Sequence, residues 1–172
     1  MEYRAAVITM SDKGAQGLRE DTAGDAVVRI LEENGWEVAY RTLIPDDFEQ
    51  IKEELCKTAD ELKVTLTVTT GGTGFSMRDV TPEATLAVVD REVRGIPEAM
   101  RAESMRITPM GVLSRAAAGL RGQTLIINLP GSKKAATECL EAVISPIRHG
   151  VEVLLGEAKD CARLHLQGTE KQ

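Results

Sequence analysis

The stretch VTLTVTTGGTGFSMRDVTPEATL, residues Val64 to Leu86, combines the patterns that decide the fold. Its first residues are almost all β-branched, which is typical of a strand buried on both faces of a parallel sheet. Three glycines in four positions follow. Thr81-Pro82 then predicts a helix, with threonine as the N-cap and proline at the first helical position. A strand, a glycine loop and a helix in this order indicate an α/β protein.

The sequence before this stretch repeats the alternation of strands and helices. Arg4–Thr9 and Glu37–Leu43 are strand-forming runs, and Thr22–Glu33 between them predicts a helix. Another helix is predicted after the second strand. There Asp46 and Glu49 have the spacing of a capping box, and apolar residues follow at steps of three and four.

The sequence after the glycine loop continues the pattern. The predicted elements are a helix from Pro97 toward Ile107, strands at Ala116–Leu120 and Thr124–Leu129, and a last helix that begins near Ser132, pauses at Ser145-Pro146 and resumes through Val151 to Leu155. This alternation favours a three-layer α/β/α sandwich with a mostly parallel central sheet. We expect one domain over residues 1–156 and a polar C-terminal tail over residues 157–172.

Composition and charge narrow the classes of function. The chain has 172 residues, a formal net charge of -6, and one Trp, two Tyr and two Phe. An acidic chain with so few aromatic residues is a poor partner for nucleic acid. No apolar run is long enough for a membrane span, and the N-terminus lacks the pattern of a signal peptide. The three cysteines have no metal-binding or disulfide pattern, which predicts a cytoplasmic protein. Together these features predict that neither a membrane nor nucleic acid is a partner.

Four irregular segments follow predicted strands directly: SDKGAQG, IPD, GGTG and LPGS. In parallel sheets the carboxyl ends of the strands meet at one edge, where ligands bind. We therefore expect these four segments to converge. In LPGS, Pro130-Gly131-Ser132 opens a helix, whose free N–H groups and dipole suit an anion.

The glycine loop has no Walker-type lysine, but its backbone can still bind phosphate. Inward-turned N–H groups form an anion-binding nest, and glycine permits the required dihedral angles and the close approach. Thr70 and Thr73 would add hydroxyl donors. The alternative is a tight turn between a strand and a helix that binds no ligand.

Two aspartates flank the expected convergence point. Asp46 alone has a second interpretation as a helix N-cap, and Asp79 alone could simply precede the helix at Thr81. Together beside a phosphate nest they suit Mg²⁺, which takes one or two carboxylates plus phosphate oxygens and water. The combination favours a catalytic site.

At this point the sequence resembles a known family. The segments that carry the resemblance are the early SD with DTAG, IPD, TTGGTG, RDVTPEAT, LSRAAAGLRG and NLPGS, in this order over about Arg4 to Leu155. They are similar to those of the molybdopterin adenylyltransferase family. The resemblance implies a molybdopterin-binding α/β fold and a homotrimer. It also implies transfer of AMP from ATP to the terminal phosphate of molybdopterin, with release of pyrophosphate and hand-over of the product to a molybdenum insertase.

The resemblance also assigns residues by motif. Asp46 and Asp79 are the catalytic carboxylates, with Asp46 holding Mg²⁺ and handling the nucleotide, and Asp79 positioning the pterin end. The expected substrate-binding residues are Ser11, Asp12, Thr70, Gly71, Gly72, Thr73, Gly74, Asn128, Pro130, Gly131 and Ser132. Two positions depart from the family pattern, because Met77 and Lys133 stand where proline is frequent. A pterin-binding carrier or scaffold without catalysis is therefore the alternative function.

Overall fold

The computed structural model describes residues 3–157, and in this range the chain forms a six-stranded sheet. The strands are β1 (Arg4–Met10), β2 (Glu37–Ile44), β3 (Leu66–Thr70), β4 (Arg91–Glu92), β5 (Ala118–Arg121) and β6 (Thr124–Leu129). Their spatial order is β2-β1-β3-β6-β5-β4. The first four in this order are parallel, whereas β5 is antiparallel to β6 and β4 is antiparallel to β5. The predicted tail lies outside the described residues apart from Glu157.

Helices cover both faces of the sheet. They are α1 (Asp12–Ala15), α2 (Thr22–Glu33), α3 (Phe48–Cys56), α4 (Thr81–Val88), α5 (Gly95–Ile107) and α6 (Lys133–Leu154), with a π-helical turn at Lys57–Glu61 and a 3₁₀ turn at Pro109–Leu113. Helices α2, α5 and α6 share one apolar core, and α3 and α4 share the other. Along β1, Val7 enters the first core and Ile8 the second, as the pleat requires. The predicted three-layer α/β/α sandwich is confirmed.

Two predicted helix caps were wrong. The N-cap of α3 is Asp47, whose carboxylate accepts from Gln50 N, so Asp46 is not the cap. Thr81 is the first residue of α4 rather than its cap, and its hydroxyl donates to the carbonyl of Gly71 at 3.0 Å. Asp46 and Thr81 therefore contact the loops at the sheet edge instead of capping a helix.

The last helix does not pause at Pro146. Helix α6 runs unbroken from Lys133 to Leu154 with Pro146 inside it. Proline removes one helical hydrogen bond and favours a kink or break. Ile144 and Ile147, on either side of it, are buried and anchor this part of the helix against the core. None of the helices in residues 3–157 is both long and apolar enough to cross a membrane.

The strand order creates a crevice between β1 and β3. The chain leaves β1 for β2 on one side and then crosses to β3 on the other, so the connections diverge at this point. Ligands bind at such a switch point, beyond the carboxyl ends of the strands. The segments after β1, β2, β3 and β6 all lie at this edge, which confirms their predicted convergence.

Asn128 ties the layers together beneath this edge. It is fully buried; its side-chain oxygen accepts from Ala117 N at 3.1 Å, and its amide nitrogen donates to the hydroxyls of Thr69 at 3.0 Å and Thr85 at 2.9 Å. These bonds join β6 to β3, to α4 and to the segment before β5. The structure therefore gives Asn128 a positioning role inside the fold.

We predict that Asn128→Ala lowers the free energy of unfolding by about 2–3 kcal/mol, because it leaves buried donors and acceptors without partners. Urea denaturation followed by circular dichroism measures this change. The control is Gln123→Ala at the exposed turn between β5 and β6, which should change it by less than about 0.5 kcal/mol. Equal stability of the two variants would contradict the prediction.

Candidate active site

The glycine loop presents a row of free backbone donors. Among the described residues, the amides of Gly72, Thr73, Gly74 and Phe75 donate to no acceptor. Gly71 and Gly72 have φ angles of 98° and 67°, which disfavour residues with a side chain. Consecutive amides in such a turn form a nest for an anion. The loop therefore has the geometry of a phosphate site.

The start of α6 adds a second set of donors. Ser132 caps this helix by accepting from Ala135 N at 3.3 Å, which leaves the amides of Lys133 and Lys134 without acceptors within residues 3–157. The two donor sets adjoin, since a Cβ on Gly131 would lie 3.2 Å from Cα of Gly71. An anion between them would contact both the loop and the positive end of the helix dipole.

Asp12 and Asp46 hold each other by reciprocal hydrogen bonds. The amide of Asp12 donates to Oδ2 of Asp46 at 3.0 Å, and the amide of Asp46 donates to Oδ1 of Asp12 at 3.0 Å. Arg78 then donates to both carboxylate oxygens of Asp12, each at 2.9 Å. These contacts connect the loops after β1, β2 and β3, so that the position of Asp46 depends on all three.

The environment of Asp46 disfavours its negative charge. Burial raises the pKa of Asp46 above its usual value of 3.8, and the carboxylates of Asp12 and Asp79 raise it further. The hydrogen bond from the Asp12 amide and the charge of Arg78 oppose this rise. Asp12 itself has a pKa below its usual value, mainly because Arg78 binds it. The uncompensated charge near Asp46 and Asp79 is where a cation would be stabilised.

Asp79 is fixed by its own turn. Its Oδ2 accepts from the amide of Ser76 at 2.8 Å, and its amide donates to the carbonyl of Ser76 at 2.9 Å. The carboxylate stands close to Gly74, where an added Cβ would come within 3.0 Å of it. Asp79 thus lies against the glycine loop, and its carboxylate shares a cavity with that of Asp46.

Two cavities meet at this point. The first, of about 300 Å³, is polar and is lined by Ser11, Asp21, Asp46, Thr70, Ser132 and Lys133, among others. The second, of about 410 Å³, is more apolar and is lined by Thr73, Met110, Leu113, Pro130, Ala135 and Glu138, among others. Gly72, Asp79 and Gly131 line both. Two ligands could therefore approach each other across the glycine loop.

The sequence also matches a family of known proteins. Residues 6–149 match the model of the family described as a probable molybdopterin binding domain. The chain belongs to this family.

Its relatives include cofactor-synthesis enzymes. The chain is 42% identical over 153 residues to the molybdopterin adenylyltransferase of Helicobacter pylori, covering 87% of this chain and 86% of that protein. It is also 42% identical over 143 residues to the molybdopterin adenylyltransferase of Escherichia coli K12, covering 81% and 73%. Among solved structures, the molybdopterin biosynthesis enzyme MoaB from Thermus thermophilus is 47% identical with a TM-score of 0.85, covering 90% of this chain and 97% of that one.

Most of the residues predicted for the site of this molybdopterin-binding domain line the two cavities. The exceptions are Asp12, which holds Asp46 from one side, and Asn128, which is buried beneath. Within residues 3–157, no three side chains of His, Cys, Asp or Glu form a metal-binding group. Sequence reasoning assigned no role to Arg78 or Arg115. Arg78 lies within the segment RDVTPEAT and Arg115 within LSRAAAGLRG, and their position in these family segments was the signal that could have pointed to them.

The raised pKa of Asp46 makes a prediction about stability. A carboxylate whose pKa is raised by folding stabilises the fold fully below its unfolded pKa, and this contribution is lost as the pH rises through its folded pKa. At pH 7 in metal-free buffer, Asp46→Asn should therefore unfold at a higher temperature than the parent chain. The difference should shrink as the pH falls through the folded pKa of Asp46, where the carboxylate becomes protonated. A lower midpoint for the variant at pH 7 would contradict this account of the site.

Proposed function

We propose that this chain transfers AMP from ATP to the terminal phosphate of molybdopterin. A phosphate oxygen of molybdopterin would attack the α-phosphorus of ATP. A new oxygen–phosphorus bond forms, the bond to the β-phosphate breaks, and pyrophosphate leaves. The observation that carries this proposal is the pair of cavities that share Gly72, Asp79 and Gly131. The names of the relatives from Helicobacter pylori and Escherichia coli support the same reaction.

The main obstacle to this reaction is repulsion between two anionic substrates. The free amides of Gly72 to Phe75 and of Lys133 and Lys134 are fixed before substrates arrive, so they stabilise developing charge without reorganisation. In phosphoryl-type transfer, positioning and electrostatics supply almost all of the catalysis. Among the described residues, neither Cys nor His lines either cavity, which agrees with a reaction that needs no such nucleophile.

We propose Asp46 as the ligand of Mg²⁺ and Asp79 as the group that positions the pterin end. Asp46 fits a cation because burial and two neighbouring carboxylates disfavour its own charge. Since no group of three such side chains is present in the described residues, phosphate oxygens and water would complete the coordination. When bound, Mg²⁺ acts as a Lewis acid on the phosphate oxygens.

We predict that Asp46→Asn and Asp79→Asn each lower the rate of adenylylation by about 10²-fold or more. The assay incubates the protein with molybdopterin, ATP and Mg²⁺ and measures pyrophosphate and the adenylylated product. Asp47→Asn is the matched control, because Asp47 is the adjacent carboxylate but only caps α3, and asparagine caps equally well. A parental rate in either site variant would contradict the assigned roles.

The alternative function is a molybdopterin-binding carrier or scaffold. It predicts that isothermal titration calorimetry detects binding of molybdopterin but not of ATP, and that no pyrophosphate forms. Binding of both ligands together with release of pyrophosphate identifies the adenylyltransferase.

We also propose that the chain acts as a cytoplasmic homotrimer that passes its product to a molybdenum insertase. Support for self-association comes from a group of exposed apolar side chains on α5 and the following 3₁₀ turn, here called the apolar patch. It consists of Met105, Ile107, Met110, Val112 and Leu113. Large apolar groups clustered on a surface are typical of protein contacts. A cytoplasmic location is supported by the free thiols of Cys56 and Cys139.

For the trimer we expect a mass of three times 18.6 kDa, or 55.8 kDa, by light scattering at several concentrations. Val112→Asp should reduce this mass, because an interface would bury the new charge. Met77→Asp, at an exposed position outside the apolar patch, should leave it unchanged. A monomer at every concentration would refute the trimer.

A further inference from the structure

Arg115 contacts the glycine loop from outside the two cavities. Its amide donates to the carbonyl of Thr73 at 3.0 Å. Its Nε donates to the carbonyl of Gly74 at 2.7 Å, and its Nη2 donates to the carbonyl of Asp79 at 2.6 Å. Its Nη1 pairs with the carboxylate of Glu83 on α4. One residue thus joins both ends of the loop to the helix that follows it.

We infer that Arg115 is a positioning residue that orients the phosphate-binding amides and Asp79. The inference rests on the proposed adenylyl transfer for its kinetic consequence, but its structural consequence is independent of that activity. Arg115 lines neither of the two cavities, so it acts through the loop rather than by contact with substrate.

The geometry of the peptide bond gives the reason. In a trans peptide unit the C=O and the N–H of the next residue point in opposite directions, and the described residues contain no cis peptide bond. The backbone amide of Arg115 holds the carbonyl of Thr73 and so directs the amide of Gly74 the opposite way, a contact that any non-proline residue at this position would keep. The guanidinium holds the carbonyl of Gly74 and directs the amide of Phe75 in the same manner, and this contact depends on the arginine side chain. Both amides belong to the row of free donors.

Thr81 holds the start of the loop, since its hydroxyl donates to the carbonyl of Gly71 and its amide to that of Gly72, but the part after Thr73 has few other contacts with the rest of the fold. Phe75 and Met77 are 71% and 95% exposed, so neither side chain anchors the segment in a core. Arg78 reaches another element by its pair with Asp12, but that contact lies on the exposed side. Arginine suits the role because its planar fork donates several hydrogen bonds in a fixed geometry, which the single ammonium of lysine does not.

Arg121 provides a matched control. Like Arg115, it binds a backbone carbonyl and a carboxylate. Its Nη1 donates to Val88 O at 2.8 Å and its Nη2 donates to the carboxylate of Asp60 at 2.6 Å. It lies at the turn between β5 and β6, at the edge of the sheet away from the glycine loop. Removing it should affect stability in a similar way without changing the site.

The first test is hydrogen–deuterium exchange on ligand-free Arg115→Ala, Arg115→Lys and Arg121→Ala. Both Arg115 variants should show faster exchange in peptides that cover residues 76–79, where the amides of Ser76 and Asp79 are hydrogen-bonded in the parent chain, and Arg121→Ala should not. Exchange at the parental rate in both Arg115 variants would overturn the inference. If Arg115→Ala does not fold, Arg115→Lys alone decides this outcome. The measurement needs no substrate, so it stands even if the adenylylation assay shows no activity.

The second test is kinetic. Arg115→Ala should lower kcat/KM for adenylylation by about 10²-fold, because small displacements of positioning groups have effects of this size. Added ethylguanidinium should restore part of the activity of Arg115→Ala and leave Arg121→Ala unchanged. A loss of thermal stability equal to that of Arg121→Ala, with parental kcat/KM, would show a purely structural residue and overturn the inference.

Discussion

Three strand ends come together at Gly71, where a side chain would have no room. A Cβ on Gly71 would collide with the carbonyl oxygen of Met10 at the end of β1, and one on Gly131 would press against the backbone of Gly71. At Gly72 it would collide with the hydroxyl of Thr81. These close approaches let the loops after β1, β3 and β6 share one crevice, as the proposed binding of phosphate by backbone groups requires. The sheet order supplies the crevice, and the glycines allow it to be lined by amides rather than side chains.

The electrostatics of the site follow from the lining of the crevice by backbone amides. The chain is acidic overall, with a net charge of -6, yet its proposed substrates are anions. Fixed N–H dipoles attract phosphate without adding titratable charge, and they require no counterion of their own. The carboxylates of Asp46 and Asp79 can then stand beside phosphate groups, provided that a cation is shared between them. The pKa of Asp46 is raised, mainly by burial, so the residues around it do not fully compensate its charge.

Sequence patterns predicted the parts of this arrangement that depend on local chemistry. The β-branched run before the loop, the Thr22–Glu33 helix and the four loop segments all follow from periodicity and turn residues, and the structure agrees with them. The predictions were wrong where contacts between distant parts of the chain decide which of two adjacent residues caps a helix. Asp46 and Asp47 are equally good caps by residue type, but the reciprocal hydrogen bonds with Asp12 hold Asp46 in the crevice. Arg115 was missed for the same reason, since its partners lie more than thirty residues away.

Lys133 shows how a departure from the family pattern can fit the site rather than weaken it. Proline is frequent at this position in the family pattern and lacks an N–H group, whereas Lys133 has one with no acceptor in the described residues. As the first residue of α6 it adds a backbone donor at the positive end of the helix dipole, and its side chain lines the polar cavity. Met77, by contrast, is 95% exposed and lines neither of the two cavities. The first difference therefore changes how the proposed phosphate site is built, whereas the second changes only the outer surface of the loop.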